Sequence, residues 1–163
     1  MKANSFEFSY DVYGSIEELQ QGDAALLDAA RKVTAQAYAP YSRFFVGATV
    51  KLDNGQLLSG TNQENASFPA GLCAERTVLA AVSSVYPGAV INAMAISFHS
   101  AGTESNHPIS PCGICRQSLI EQEKRQQFPM RIILGGQVGR ILVISSVSHL
   151  LPFSFTGEEL NKG

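Results

Sequence analysis

Apolar and polar positions change rhythm several times along the chain. From Asp23 to Tyr38, Ala24, Leu27, Ala30, Val33 and Ala37 recur near the helical period and Pro40 closes the run, which predicts a helix over residues 23–38. Phe44 to Leu52 and Leu57 to Thr61 read as strands, and Asp53-Asn54-Gly55 between them is a hairpin turn. Helical composition returns from Cys73 to Val85, ended by Pro87-Gly88, and from Cys112 to Gln126. Val90 to Phe98, Met130 to Leu134 and Ile141 to Ile144 read as strands, and Ser148 to Leu151 as a short helix before Pro152. Strands alternating with helices after an opening antiparallel hairpin predict an α/β sandwich.

The pattern before Asp23 is of another kind. Phe6-Glu7-Phe8-Ser9-Tyr10 alternates like a strand, and Ser15-Ile16-Glu17-Glu18 has the form of a capping box. Residues 1–22 are read as an N-terminal extension that packs on the surface or at a subunit contact, and residues 23–163 as the main domain.

At 163 residues the chain has the size of one domain, long enough to bury roughly 70% of its unfolded surface without disulfides. The net charge of −2 includes no basic stripe, which argues against nucleic acid or an anionic membrane as a partner. Apolar runs such as Ile141 to Ile144 are too short to span a bilayer. No charged and apolar leader opens the chain, so the expected setting is cytoplasmic and reducing.

In that setting three cysteines, Cys73, Cys112 and Cys115, are read as metal ligands or catalytic groups. Pro111-Cys112-Gly113-Ile114-Cys115 sits at a predicted helix start, where residues i and i+3 share a face and the helix terminus favours thiolate. Cys73 opens the other predicted helix. Three thiolates without a fourth cysteine suit a catalytic zinc with one open position, and Glu75 supplies a carboxylate beside it for proton transfer. The competing readings are a buried structural Cys73, a redox dithiol at Cys112 and Cys115, or a closed structural zinc completed by His99 or His107.

Through these residues the chain resembles the cytidine deaminase family in its small homotetrameric form. The matching segments are Tyr41 to Ala48, Asn62-Gln63-Glu64-Asn65-Ala66, Cys73-Ala74-Glu75-Arg76, Pro111 to Gln117 and the ending Leu150 to Phe155. The resemblance implies a three-layer α/β/α sandwich with a mixed sheet of about five strands, and makes residues 23–163 the catalytic domain. It implies one Zn²⁺ per chain on Cys73, Cys112 and Cys115, with Glu75 moving protons between the attacking water, the base and the departing amine.

It further implies that the Ala74 backbone meets the base carbonyl, Phe44 packs on the pyrimidine, and Asn62 and Glu64 hold the ribose. Two residues apart on a strand end, Asn62 and Glu64 point the same way, and the charge of Glu64 favours a free nucleoside over a nucleotide. The plainer reading is that this pair satisfies a hairpin end. Phe45 points to the opposite face from Phe44. Arg76 resembles an arginine that hydrogen-bonds zinc thiolates, whose charge outweighs that of Zn²⁺ by one. Phe155, or Phe153 in its place, resembles a terminal aromatic that closes a neighbouring subunit's site.

Departures from the family pattern lie at Phe68, where relatives often carry Tyr, in residues 1–22, in the Gly-rich stretch 135–139 and at Ser145-Ser146. The expected activity is hydrolytic deamination of cytidine and deoxycytidine in pyrimidine salvage. The alternatives are deamination of a cytosine nucleoside antibiotic such as blasticidin S, or a non-catalytic zinc-stabilised module. A small-molecule substrate is expected, with no nucleic acid or membrane partner, in a homotetramer.

Overall fold

The computed structural model describes residues 1–160. Six strands form one mixed sheet: β1 (Tyr10–Tyr13), β2 (Phe44–Leu52), β3 (Leu57–Thr61), β4 (Ile91–Ser100), β5 (Arg131–Gly135) and β6 (Ile141–Ile144). Their order across the sheet is β1-β6-β5-β4-β2-β3. Only β4 and β5 run parallel, joined by the crossover helix α3 (Gly113–Gln126). Helix α1 (Gln21–Val33) covers one face, and α2 (Ala74–Val85) covers the other together with α3.

The period-two alternation of the strands sorts the two cores. Ala93 and Ala95 of β4 and Ile133 of β5 pack beneath Leu26, Leu27 and Ala30 of α1. Their chain neighbours Met94, Ile96, Ile132 and Leu134 face Val78, Val82 and Leu119 of α2 and α3. The strands are thus buried on both sides, which explains their near-continuous apolar sequences.

Two glycines set how closely the helices approach. A Cβ on Gly47 would sit 2.3 Å from the Ala30 carbonyl oxygen, so glycine lets α1 lie directly on β2. A Cβ on Gly60 would sit 2.7 Å from the Val78 nitrogen and 2.9 Å from the Ala74 carbonyl oxygen. The N-terminal half of α2 therefore rests against β3.

The three-layer α/β/α sandwich and its mixed sheet are as expected, with one strand more than the five anticipated. The sixth, β1, pairs antiparallel with β6 from Tyr10↔Ile144 to Tyr13↔Ile141. It begins where the Phe6–Tyr10 alternation ends. Phe8 instead stacks on His149 at 5.3 Å, with Phe6 beside it. The capping box does not form: Ser15 makes no side-chain cap, Glu18 accepts the Gly14 N–H at 2.9 Å, and a single 3₁₀ turn follows.

The first helix is shorter than its apolar spacing suggests. It tightens into a 3₁₀ turn at Thr34–Gln36, because Tyr38 pairs in extended form with the segment after β3. The Tyr38 N–H donates to the Asn62 carbonyl, and the Tyr38 carbonyl accepts from the Glu64 N–H. Strand β4 runs to Ser100 rather than Phe98, because β2 pairs with it as far as Phe44↔Ser100.

Candidate functional site

Two helix starts meet at one end of the sheet. Cys73 is the N-cap of α2 and Cys112 the N-cap of α3, both with extended backbone, and Cys115 lies buried in the first turn of α3. The Cys73 and Cys112 sulfurs are 3.9 Å apart, and all three Sγ atoms lie within 4.8 Å of one another. A tetrahedral zinc with Zn–S bonds of about 2.3 Å separates its sulfur ligands by about 3.8 Å, so this donor set has the chemistry and spacing for zinc.

No histidine joins this cluster among the described residues. His99 stacks on Phe45 across the sheet from the cysteines, and His107 lies edge-on to Phe98. A closed site completed by either is thereby excluded.

The cluster shares charge unevenly. The Cys115 thiol hydrogen-bonds to Cys73 and, against the cost of burial, with further help from Arg76 and Cys112, brings the Cys73 pKa to about 5. Cys115 is pushed up in turn, as the donor to Cys73 and by its own burial. Glu75, 5% exposed, has its carboxyl pushed up by burial, with the Cys73 thiolate adding to the effect. A carboxyl raised in this way takes up a proton more readily than an exposed one, as a proton carrier must.

Each ligand-bearing helix is braced by an arginine on its first turn. Arg76 Nη2 donates to the Gly71 carbonyl five residues back, at 3.0 Å. Arg116 Nε donates to the Pro111 carbonyl, also five residues back, at 2.9 Å, and its Nη1 to the Leu150 carbonyl at 3.0 Å. The Arg76 Nε is buried without a partner. An unpaired cationic donor beside a thiolate cluster fits a site carrying excess negative charge.

A cleft of about 790 Å³ opens over these groups, within the range of small-molecule sites. Phe44, Asn62, Glu64, Cys73, Ala74, Glu75, Arg76 and Cys112 line it, so most of the residues singled out in the sequence converge there. Phe45 faces away, as the strand period requires. Asn62 and Glu64 also serve the backbone. Asn62 Oδ1 accepts the Val46 N–H at 2.7 Å and its Nδ2 donates to the Phe44 carbonyl at 2.9 Å. Glu64 Oε2 accepts the N–H groups of Tyr41 and Ser42 at 2.9 and 3.2 Å. Their hydrogen bonding to the β2 entry is thus real, and the second Nδ2 proton and Oε1 lie beyond these bonds.

A family model described as the cytidine and deoxycytidylate deaminase zinc-binding region matches residues 20–129. The chain belongs to this deaminase family. It is 37% identical over 136 residues to the cytidine deaminase of Halalkalibacterium halodurans, covering 83% of this chain and 96% of that one. It is 33% identical over 148 residues to a probable cytidine deaminase of Dictyostelium discoideum, covering 88% of each. The crystal structure of cytidine deaminase from Burkholderia pseudomallei superposes with a TM-score of 0.69 at 37% identity, over 80% of this chain and 97% of that one. Membership makes the chain a hydrolytic deaminase with zinc as its cofactor.

Two further features lie around the cleft of this chain. Phe155 lies outside the cleft, with its backbone carbonyl accepting from Gln117 Nε2 at 2.9 Å. Tyr41, Phe68, Leu72 and Ile114 form an exposed apolar rim, with Tyr41 and Phe68 edge to face at 5.9 Å. Which apolar groups stay exposed is decided by packing, so no local sequence pattern marks this rim. Among the described residues no helix is long and apolar enough to cross a membrane.

Proposed function

We propose that this chain hydrolyses free cytidine and deoxycytidine to uridine and deoxyuridine, releasing ammonia. The observation that carries this reading is the meeting, at the floor of one cleft of about 790 Å³, of a three-thiol cluster and a buried carboxyl. Zinc held by Cys73, Cys112 and Cys115 supplies the Lewis acidity that lets water react near neutral pH. Glu75 takes a proton from the attacking water, delivers it to ring N3, and carries a proton to the exocyclic amine as the C4–N bond breaks. Water thereby provides the new carbonyl oxygen, the proton that stays on ring N3 and the third proton of the departing ammonia.

The other cleft residues bind and orient. The Ala74 N–H, at the first position of α2, is free of intrahelical bonding and meets the base carbonyl. Phe44 packs against the pyrimidine face. The remaining Asn62 N–H and Glu64 oxygen hold ribose hydroxyls, and the Glu64 charge discriminates against phosphate there. Arg76 offsets the surplus negative charge of the thiolates.

The assembly is a homotetramer. The exposed apolar rim of the cleft, together with Phe153 at 95% exposure and Phe155, supports this, since monomers rarely leave such surface open. In the tetramer Phe155 or Phe153 closes a neighbouring site. Residues 1–22 are an extension to the catalytic domain of residues 23–163. The enzyme works in pyrimidine salvage in the cytoplasm, whose reducing conditions keep three thiols available to metal.

The deciding experiment follows the ultraviolet change as cytidine becomes uridine, with and without a chelator. Turnover that a chelator abolishes and zinc restores is expected. Zinc-loaded protein inert toward both cytidine and deoxycytidine would overturn the assignment.

A further inference from the structure

We propose that Phe98, buried in β4, is a positioning residue that sets nucleoside affinity through Phe44. The proposal rests on the reading above that Phe44 packs on the cytosine base. The β2–β4 register places Val46 opposite Phe98 and Phe44 opposite Ser100, so Phe44 and Phe98 are diagonal neighbours on one face of the sheet. Their rings stack with centroids 5.0 Å apart and planes 22° apart. Phe44 lines the cleft, whereas Phe98 does not and is only 1% exposed. Phe98 therefore backs Phe44 from within the core.

Phe98 is itself held. The His107 ring lies edge-on to it at 5.2 Å, and its carbonyl accepts from Gln137 Nε2 at 3.0 Å. A ring that must be ordered when substrate arrives weakens binding, and one already stacked on a rigid partner avoids that loss. The contribution falls equally on bound substrate and transition state, so it belongs to KM rather than kcat.

The sheet contains its own control. Phe45 and His99, at the same end of the same two strands, stack at 6.1 Å on the opposite face and away from the cleft. Cross-strand stacking as such predicts similar effects for both pairs, whereas positioning of Phe44 predicts an effect for Phe98 alone.

The test compares cytidine kinetics, zinc content and thermal stability for Phe98→Leu, Phe44→Ala, the double variant and His99→Ala. Phe98→Leu is expected to raise KM about three- to tenfold with kcat and zinc content nearly unchanged. The double variant is expected to be no worse in KM than Phe44→Ala, and His99→Ala to leave KM unaltered. An unchanged KM in Phe98→Leu, or effects of Phe98 and Phe44 that multiply in full, overturns the proposal. An unchanged KM in Phe44→Ala sinks the base-packing reading itself, and the proposal with it. If Phe98→Leu does not fold, Phe98→Met, closer in volume to a leucine but more adaptable in shape, carries the same comparison.

Discussion

The sulfurs of Cys73 and Cys112 lie 3.9 Å apart although the residues are 39 positions apart in the chain. Each caps a different helix, and both helices pack on the same face of the sheet. The metal site is therefore a joint between α2 and α3. Cys112→Ser is expected to lower zinc from about one per chain to a small fraction, measured by elemental analysis. Far-ultraviolet circular dichroism should stay close to that of the parent protein, because the two apolar cores do not depend on the metal.

Glu75 separates chemistry from metal binding. Glu75→Gln keeps the size of the buried side chain and removes its capacity to carry a proton. Zinc content is expected to be unchanged while kcat falls by about 10²–10⁴-fold, the range for loss of a general acid–base group. Retained turnover would favour a module in which zinc is only structural.

Glu64 makes a pH-dependent tie. The Ser42 hydroxyl first, against an opposing effect of desolvation and with the Tyr41 and Ser42 N–H groups adding to it, holds its carboxyl below the usual carboxylate range. A depressed carboxyl contributes above its unfolded pKa, and the contribution is lost as pH falls through the lower folded value. Glu64→Gln is expected to raise KM for cytidine about tenfold at neutral pH. The gap between variant and parent should narrow as the solution is acidified below the ordinary carboxylate range. A gap that stays constant there would place the effect in shape rather than charge.

Gly60 sets the height of α2 above β3. In Gly60→Ala the added methyl meets backbone atoms of Ala74 and Val78, which cannot move without shifting the start of the helix. A destabilisation of about 1–3 kcal/mol is expected from overpacking, seen as a lower melting temperature. Zinc affinity should fall as well, since Cys73 is the N-cap of that helix. Competition with a chromophoric chelator measures this.

Much of the architecture was legible because helix and strand periods are local. The hairpin at Asp53–Gly55, both ligand-bearing helices and the strands on either side of them follow from spacing and breakers within a few residues. The N-terminal strand was misplaced for a non-local reason. The alternation at Phe6–Tyr10 has no partner strand alongside it, whereas Tyr10–Tyr13 meets the free edge of β6. Tyr38 likewise leaves the helical pattern because its backbone bonds to residues 62 and 64.

By itself the sequence determined the chemistry: which residues can hold zinc, and that a carboxylate stands two positions from one of them at a helix start. The Cys112–Cys115 spacing is short-range and one helical turn enforces it, while Glu75 follows Cys73 within the first turn of α2. Only the tertiary structure decided that the two helix starts converge, that Asn62 and Glu64 are also tied to the β2 backbone, and that Phe98 backs Phe44. Register and helix approach arise from burying apolar faces and satisfying backbone groups across the whole sheet, and no local pattern contains that information.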